Sequence, residues 1–173
     1  MANWGTNTDG SGTNPPNLLL LIGFLILGTG CHYYKLCWTV SGAGSKIIVG
    51  DGTNTCAVTV STSPTWNTIP VEISNAGQIV QNVAITFGSL LVQNGGTLQY
   101  NRNGGNIPTA TWNSGSTVLI SGFTNSEPGG LGQSFWHFTW SCPGQVQSCE
   151  LQGALTTVNG NFSVTETGGA NLG

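Results

Sequence analysis

Two cysteines and a histidine stand together in "CHYYKLC", as Cys31, His32 and Cys37. Soft ligands this close could hold zinc, but the Cys-x5-Cys spacing is not that of a zinc knuckle and a fourth ligand is missing. No metal and no cofactor is expected. The carboxylates are Asp9, Asp51, Glu72, Glu127, Glu150 and Glu166. Glycoside hydrolysis needs two of them about 5 to 9 Å apart. Lys46, Asp51 and Glu72 could line one face of successive turns of a stacked fold, an arrangement for proton abstraction beside acidic ligands, yet nothing in their spacing demands it. Gly-x-Ser-x-Gly, phosphate-loop and zinc-protease motifs are absent from the sequence. The expectation is a chain that is not an enzyme.

Aromatic residues offer a second kind of site. In "FWHFTWSC" strict alternation puts Phe135, His137 and Thr139 on one face, and Trp136, Phe138 and Trp140 on the other. Either that aromatic face is buried, or Trp136, Trp140 and Trp112 form a platform on which sugar rings stack. Cys142 and Cys149 bracket the turn-rich "PGQVQS" and are the candidate disulfide in an oxidising compartment. The alternative is that they are inert buried thiols. With five cysteines, at least one is left free or pairs between chains.

The apolar run "LLLLIGFLILG" over 18–28 is too short for a bilayer span, which takes about 20 residues. Its length suits a signal-peptide core, and "LGTGC" ending at Cys31 is loosely like a lipoprotein cleavage site, which would anchor the chain through lipid. Against this, residues 1–17 contain no Lys or Arg and include Pro15-Pro16. The other reading is one or two strands buried in the core. Leu18, Leu19, Leu20, Leu21, Phe24 and Leu25 are then candidate self-association residues.

These residues must be positioned by a chain of unusual composition. Only 5% of its 173 residues are charged, against roughly 25% in an average domain. Glycine accounts for 27. Its three basic residues, Lys35, Lys46 and Arg102, give no clustered positive charge, so nucleic acid is excluded as a partner. An anionic membrane surface is disfavoured for the same reason. Disorder does not fit 38–168, where β-branched and aromatic residues recur.

After Trp38, short runs rich in Val, Ile, Leu and Thr end in Gly or Asn-Gly: "KIIVGDG", "PVEISNAG", "SLLVQNGG", "STVLISG", "LTTVNGN" and "FSVTETGG". Such runs favour strand, and Gly or Asn tolerates the positive φ of a turn. No helical periodicity is sustained. Gly52, Gly77, Gly96, Gly122 and Gly144 recur at about the length of one coil of a solenoid. The expected fold is therefore all-β, a right-handed parallel β-helix, with an antiparallel β-sandwich as the alternative. In the β-helix, "QNGG" at 93–96 is a corner, "TLQY" at 97–100 the following strand, and Asn103-Gly104-Gly105 the next corner of the same coil. Residues 1–17 read as an N-terminal extension, 18–37 as the apolar segment, 38–168 as the solenoid domain and 169–173 as a C-terminal tail.

The stretches "WGTNTDGSGTNPPN", "WTVSGAGSKIIVGDGTN", "LLVQNGGTL", "WNSGSTVLISG" and "QSFWHFTWSCPGQ" resemble the repetitive Gly/Thr/Asn-rich secreted surface proteins of Bacteroidetes-type bacteria, often exported by the type IX route. The resemblance covers most of the chain, rests on composition and brings no catalytic residues. It implies an extracellular or cell-surface scaffold with β-helix stretches. The segment "LLLLIGFLILGTGCHYYKLC" departs from that pattern, as a shifted frame or an artificial junction would. Similar proteins carry a cleaved signal peptide and a C-terminal sorting domain, neither of which is evident in these residues, so an excerpt of something longer is one reading. The resulting expectation is a non-catalytic structural or adhesive module prone to self-association or fibre-like stacking. The alternatives are a carbohydrate-binding or polysaccharide-cleaving module and a lipid-anchored surface protein. The expected partner is a further copy of the chain, with glycans second.

Overall fold

The computed structural model describes residues 44–64 and 66–173, together with the backbone of two short strands at 24–27 and 32–33. Fourteen strands are formed and, among the described residues, no helix. They are β1 (Phe24–Leu27), β2 (His32–Tyr33), β3 (Lys46–Val49), β4 (Cys56–Val60), β5 (Pro70–Ile73), β6 (Gly77–Gln81) and β7 (Ser89–Val92). They continue as β8 (Thr97–Tyr100), β9 (Thr111–Trp112), β10 (Thr117–Ile120), β11 (Ser134–Phe135), β12 (His137–Ser141), β13 (Thr157–Val158) and β14 (Phe162–Glu166).

Odd and even strands separate completely. One sheet runs β1-β3-β5-β7-β9 and a second runs β2-β4-β6-β8-β10-β12-β14, while β11 and β13 pair with each other. Every pairing between these strands is parallel. The architecture is thus a β-solenoid, in which each turn of chain lays one strand on each sheet and returns along a third side. An antiparallel sandwich is not what these residues form.

Alternation along each strand explains why the stack holds. In β4, Cys56, Val58 and Val60 are buried while Ala57 and Thr59 are half-buried. The pattern repeats at Leu98 and Tyr100 in β8, Val118 and Ile120 in β10, and Phe138 and Trp140 in β12. Register turns these positions into columns. Tyr33, Val58, Ile79, Leu98, Val118, Phe138 and Phe162 are successive partners in one of them. On the odd sheet, Ile47, Val71 and Leu90 form a second column, and Val49, Ile73, Val92 and Trp112 a third. The interior is a single apolar cluster. Each fully buried aliphatic or aromatic side chain in it contributes on the order of 1.5 to 3 kcal/mol.

Toward the C-terminus that interior becomes aromatic. Trp112 and Phe135, Phe123 and Trp140, and Phe135 and Phe138 hold their ring centroids 5.1, 5.2 and 5.4 Å apart. Buried polar atoms here are mostly paired. Tyr100 Oη donates to Gly104 O at 2.7 Å, and Trp140 Nε1 to Gln145 Oε1 at 2.9 Å.

The corner between odd and even strands is a four-residue turn. Gly77 N donates to Ser74 O, Gly96 N to Gln93 O and Ser116 N to Asn113 O, each at 2.9 Å. The third residue of each turn has positive φ: Ala76 at 60°, Gly95 at 73° and Gly115 at 81°. That is the signature of a type II turn. The turns are also bonded to one another, Ala76 N to Gly95 O at 3.2 Å and Gly95 N to Gly115 O at 3.0 Å.

Candidate functional site

Three surfaces can be built from the residues upward. The first is an open groove of about 470 Å³ on the outer side of the odd sheet, lined by Asp51, Glu72, Ser74, Asn75, Gln93 and their neighbours. Outward positions of β3 and β5 place Lys46 Nζ 2.8 Å from Glu72 Oε2. Glu72 Oε1 accepts hydrogen bonds from Ser74 Oγ at 3.3 Å and Gln93 Nε2 at 3.2 Å. Gln93 Oε1 in turn accepts from Asn113 Nδ2 at 2.7 Å. The bond from Lys46 keeps the Glu72 carboxyl below its ordinary range. Asp51 accepts from Asn54 Nδ2 and from the backbone N–H groups of Asn54 and Thr53, which hold its carboxyl at about 2.

The sequence thus named the right neighbours: Lys46, Asp51 and Glu72 do lie along one flank of successive turns. Glu72 ties its turn to the neighbouring ones through Lys46 and Gln93, whereas Asp51 bonds only within its own loop. A general acid or base works best with a pKa near the operating pH. Both carboxylates here are instead pushed towards permanent ionisation by partners within the protein. Among the described residues no group of three or more His, Cys, Asp or Glu is placed to hold a metal ion.

The second surface is the outer face and second corner of the even sheet, where side-chain amides and hydroxyls form a ladder. Asn82 Nδ2 donates to Ser61 Oγ, Asn101 Nδ2 to Asn82 Oδ1 and Ser121 Oγ to Asn101 Oδ1, at 3.1, 2.8 and 3.1 Å. Beside it, Gln78 Nε2 donates to Gln99 Oε1 at 3.0 Å and Gln99 Nε2 to Ser121 Oγ at 2.9 Å. Asn103 Oδ1 caps the corner of the next turn by accepting from the N–H groups of Thr124, Asn125 and Ser126. The polar residues that replace surface charge in this chain therefore bond from rung to rung.

The third surface is the C-terminal end rung. Phe162 and Val164 occupy the columns of Phe138 and Trp140, whose residues are fully buried. Yet Phe162 is 48% and Val164 46% exposed, because no strand among the described residues covers them. They border an open, largely apolar groove of about 260 Å³ with Leu151, Leu155 and Leu172. The rung is complete on its third side. Leu172 bridges Cys149, Gly173 N donates to Cys149 O at 2.9 Å and Leu151 N donates to Gly173 O at 2.6 Å.

The aromatic platform is not assembled. Trp140 is fully buried, and Trp112 lies in an inward column with its Nε1 donating to Gln133 Oε1 at 3.1 Å. Trp136 is half-buried and meets His137 edge-on. Strict alternation fails between β11 and β12 because the chain turns a corner at Trp136. Phe135 therefore points inward along with Phe138 and Trp140, while His137 faces out and accepts at Nδ1 from Asn161 N at 3.0 Å.

Cys142 and Cys149, the candidate disulfide pair, are free thiols, both buried. Cys142 Sγ donates to Ile120 O at 3.4 Å. Burial pushes Cys142 up to about 11 and Cys149 to about 12, Cys149 further raised by the Glu127 carboxyl beside it.

Of the self-association residues, Phe24 and Leu25 fall in β1, the first strand of the odd sheet. Leu18, Leu19, Leu20 and Leu21 lie outside the described residues, as do Cys31 and Cys37, on which the lipid-anchor and zinc readings rested. No described helix is long and apolar enough to cross a membrane. Sequence reasoning passed over Phe162 and Val164. The pattern of "FSVTETGG" gives no signal of it, because it alternates like an interior strand. No family model, curated protein or solved structure matches the chain.

Proposed function

We propose that this chain is a structural or adhesive β-scaffold module of an extracellular surface protein, without catalysis of its own, that self-associates through the exposed end of its solenoid. The observation that carries this reading is the end rung: Phe162 and Val164 continue columns that are fully buried one turn earlier and stand open to solvent. Beneath them every turn is fastened to the next by parallel backbone bonding, a continuous apolar interior and ladders of amides. Such an object is stiff along its axis, and its open edge invites another strand. A surface almost without charge offers little electrostatic repulsion to close approach. The Glu72 carboxylate, bonded to Lys46 of one neighbouring turn and Gln93 of the other, supports a role in fastening the turns.

Sedimentation velocity from about 1 to 300 μM tests the reading. Reversible growth in mass with concentration is expected. A monomer of constant sedimentation coefficient throughout the range would count against it.

A further inference from the structure

We infer that the corner following β8 binds an oxyanion group, a sulfate, phosphate or carboxylate, through the guanidinium of Arg102 and the backbone N–H groups of Gly105 and Asn106. The site goes beyond the scaffold reading and does not depend on self-association. Arg102 is half-buried and held in place before any ligand arrives. Its Nη1 donates to Tyr100 Oη at 3.2 Å, and its Cζ lies 5.6 Å from the centre of the Tyr100 ring. Tyr100 is itself fully buried, and its hydroxyl donates to Gly104 O at 2.7 Å. The cation is not answered within the protein. Among the described residues Lys46 is paired with Glu72, whereas Arg102 has no carboxylate partner. Glu127, on the segment stacked over this corner, turns to the following turn and accepts from Glu150 N at 3.2 Å. A guanidinium has further N–H donors, and the bond to Tyr100 is the one that Arg102 makes among the described residues. A half-buried charge without a counter-charge is costly, so an anion there is favoured.

The backbone completes the site. Gly104 N donates to Ser126 O at 2.8 Å and Ile107 N to Gly129 O at 2.9 Å, each to the next turn. The two N–H groups between them, of Gly105 and Asn106, have no acceptor among the described residues, and both residues are exposed. Gly105 has a φ of 75°. A Cβ on it would lie 2.8 Å from Arg102 Nη1 and 2.9 Å from Nη2, so the missing side chain is what lets the guanidinium lie against the main chain. A planar fork beside open main-chain donors suits a group with several oxygens: the fork bonds two of them and the main chain another. A metal ion would meet like charge here, and a neutral hydroxyl would leave the guanidinium unanswered.

Titration with sodium sulfate at constant ionic strength, read from the amide signals of Gly105 and Asn106 by NMR, tests the site. Saturable shifts confined to this corner are expected, half-complete on the order of 1 to 10 mM, the range of a few charge-assisted hydrogen bonds. Arg102→Gln removes the charge while keeping a donor for Tyr100, and is expected to weaken binding by about tenfold or more. Arg102→Lys keeps the charge without the fork and is expected to weaken it by about threefold. Circular dichroism checks that each variant keeps the wild-type sheet spectrum; if Arg102→Gln does not, Arg102→Lys carries the comparison. Two sources of the oxyanion are separated by competition. Dextran sulfate that displaces inorganic sulfate at a lower concentration of sulfate groups places the ligand on a polysaccharide, whereas equal potency assigns the site to free ions. Shifts that grow linearly with sulfate, that are the same in wild type and variant, or that unsulfated dextran reproduces would overturn the site and leave Arg102 as a clamp on Tyr100.

Discussion

Phe162 lies on Phe138 with ring centroids 5.7 Å apart and planes 15° from parallel, the last inward pair of its column, and its far face is bare. Phe138 has neighbours on both sides in the column, whereas Phe162 has one. Replacing Phe162 with Ser therefore costs little folding stability, on the order of 1 kcal/mol, because the side chain is already half in water. The same change at Phe138 opens a cavity in a closed interior and costs about 3 to 5 kcal/mol. Urea unfolding of the two variants checks this ordering. Similar losses would mean that the end rung is not open.

Ala76 holds, at the first of three equivalent turns, a positive φ that Gly95 and Gly115 supply at the others. An L side chain in that region costs about 1 kcal/mol or more. Ala76→Gly is expected to stabilise the protein by less than that, about 0.5 kcal/mol, since the added freedom of the unfolded chain offsets part of the relief. Gly115→Ala is expected to destabilise it by about 1 to 3 kcal/mol, since a Cβ there would also run into Asn94 Oδ1. Thermal melts of the pair should move in opposite directions.

Glu72 binds its proton more weakly folded than unfolded, because Lys46 bonds the ionised form. The stabilisation is complete above the ordinary glutamate value of 4.5 and is lost as pH falls through the lower folded-state value. The pair is partly exposed, so its worth is at most about 1 kcal/mol. Comparing wild type with Glu72→Gln, the stability gap should be constant from pH 7 to 5 and shrink below pH 4.5. A gap that widens in acid would show that Lys46 and Glu72 are not paired.

Cys142 and Cys149 behave in the opposite sense. Their folded-state values are raised, so the unfolded chain loses these protons first, and stability falls as pH rises above about 9. Substituting both by Ala should flatten this alkaline decline. Peptide-resolved alkylation of the native protein at pH 8 should leave Cys56, Cys142 and Cys149 unmodified, since all three are buried and thiolates are the reactive form. Rapid labelling of Cys142 or Cys149 under native conditions would contradict their placement.

Much of the architecture was legible because turns need particular residues. "TLQY" is β8 to the residue, and Asn103-Gly104-Gly105 does turn the same coil. The glycine landmarks gave a sound period but mixed two corners. Gly77 and Gly96 close the turn into an even strand, whereas Gly122 and Gly144 follow even strands. The true equivalents of Gly77 and Gly96 are Cys56, Ser116 and Trp136, as the register requires. Composition alone does not reveal that equivalence, because the first of these positions holds a buried thiol, the second a buried hydroxyl and the third an indole.

The Lys46–Glu72 pairing was partly legible, since both lie at outward positions of neighbouring odd strands. The loss of the tryptophan platform was not. Alternation fixes faces only within an unbroken strand, and one corner residue at Trp136 shifts everything before it. The end rung escaped notice for a related reason: "FSVTE" has an interior pattern, and only the register shows β14 paired on one side alone among the described residues.

Amide hydrogen exchange across β14 tests the central claim most directly. Samples at about 1 and 300 μM should differ in the exchange of residues 162–166, with protection rising at least tenfold in the concentrated sample, while β8, paired on both sides within the chain, exchanges alike in both. Equal exchange of β14 at the two concentrations would contradict the account.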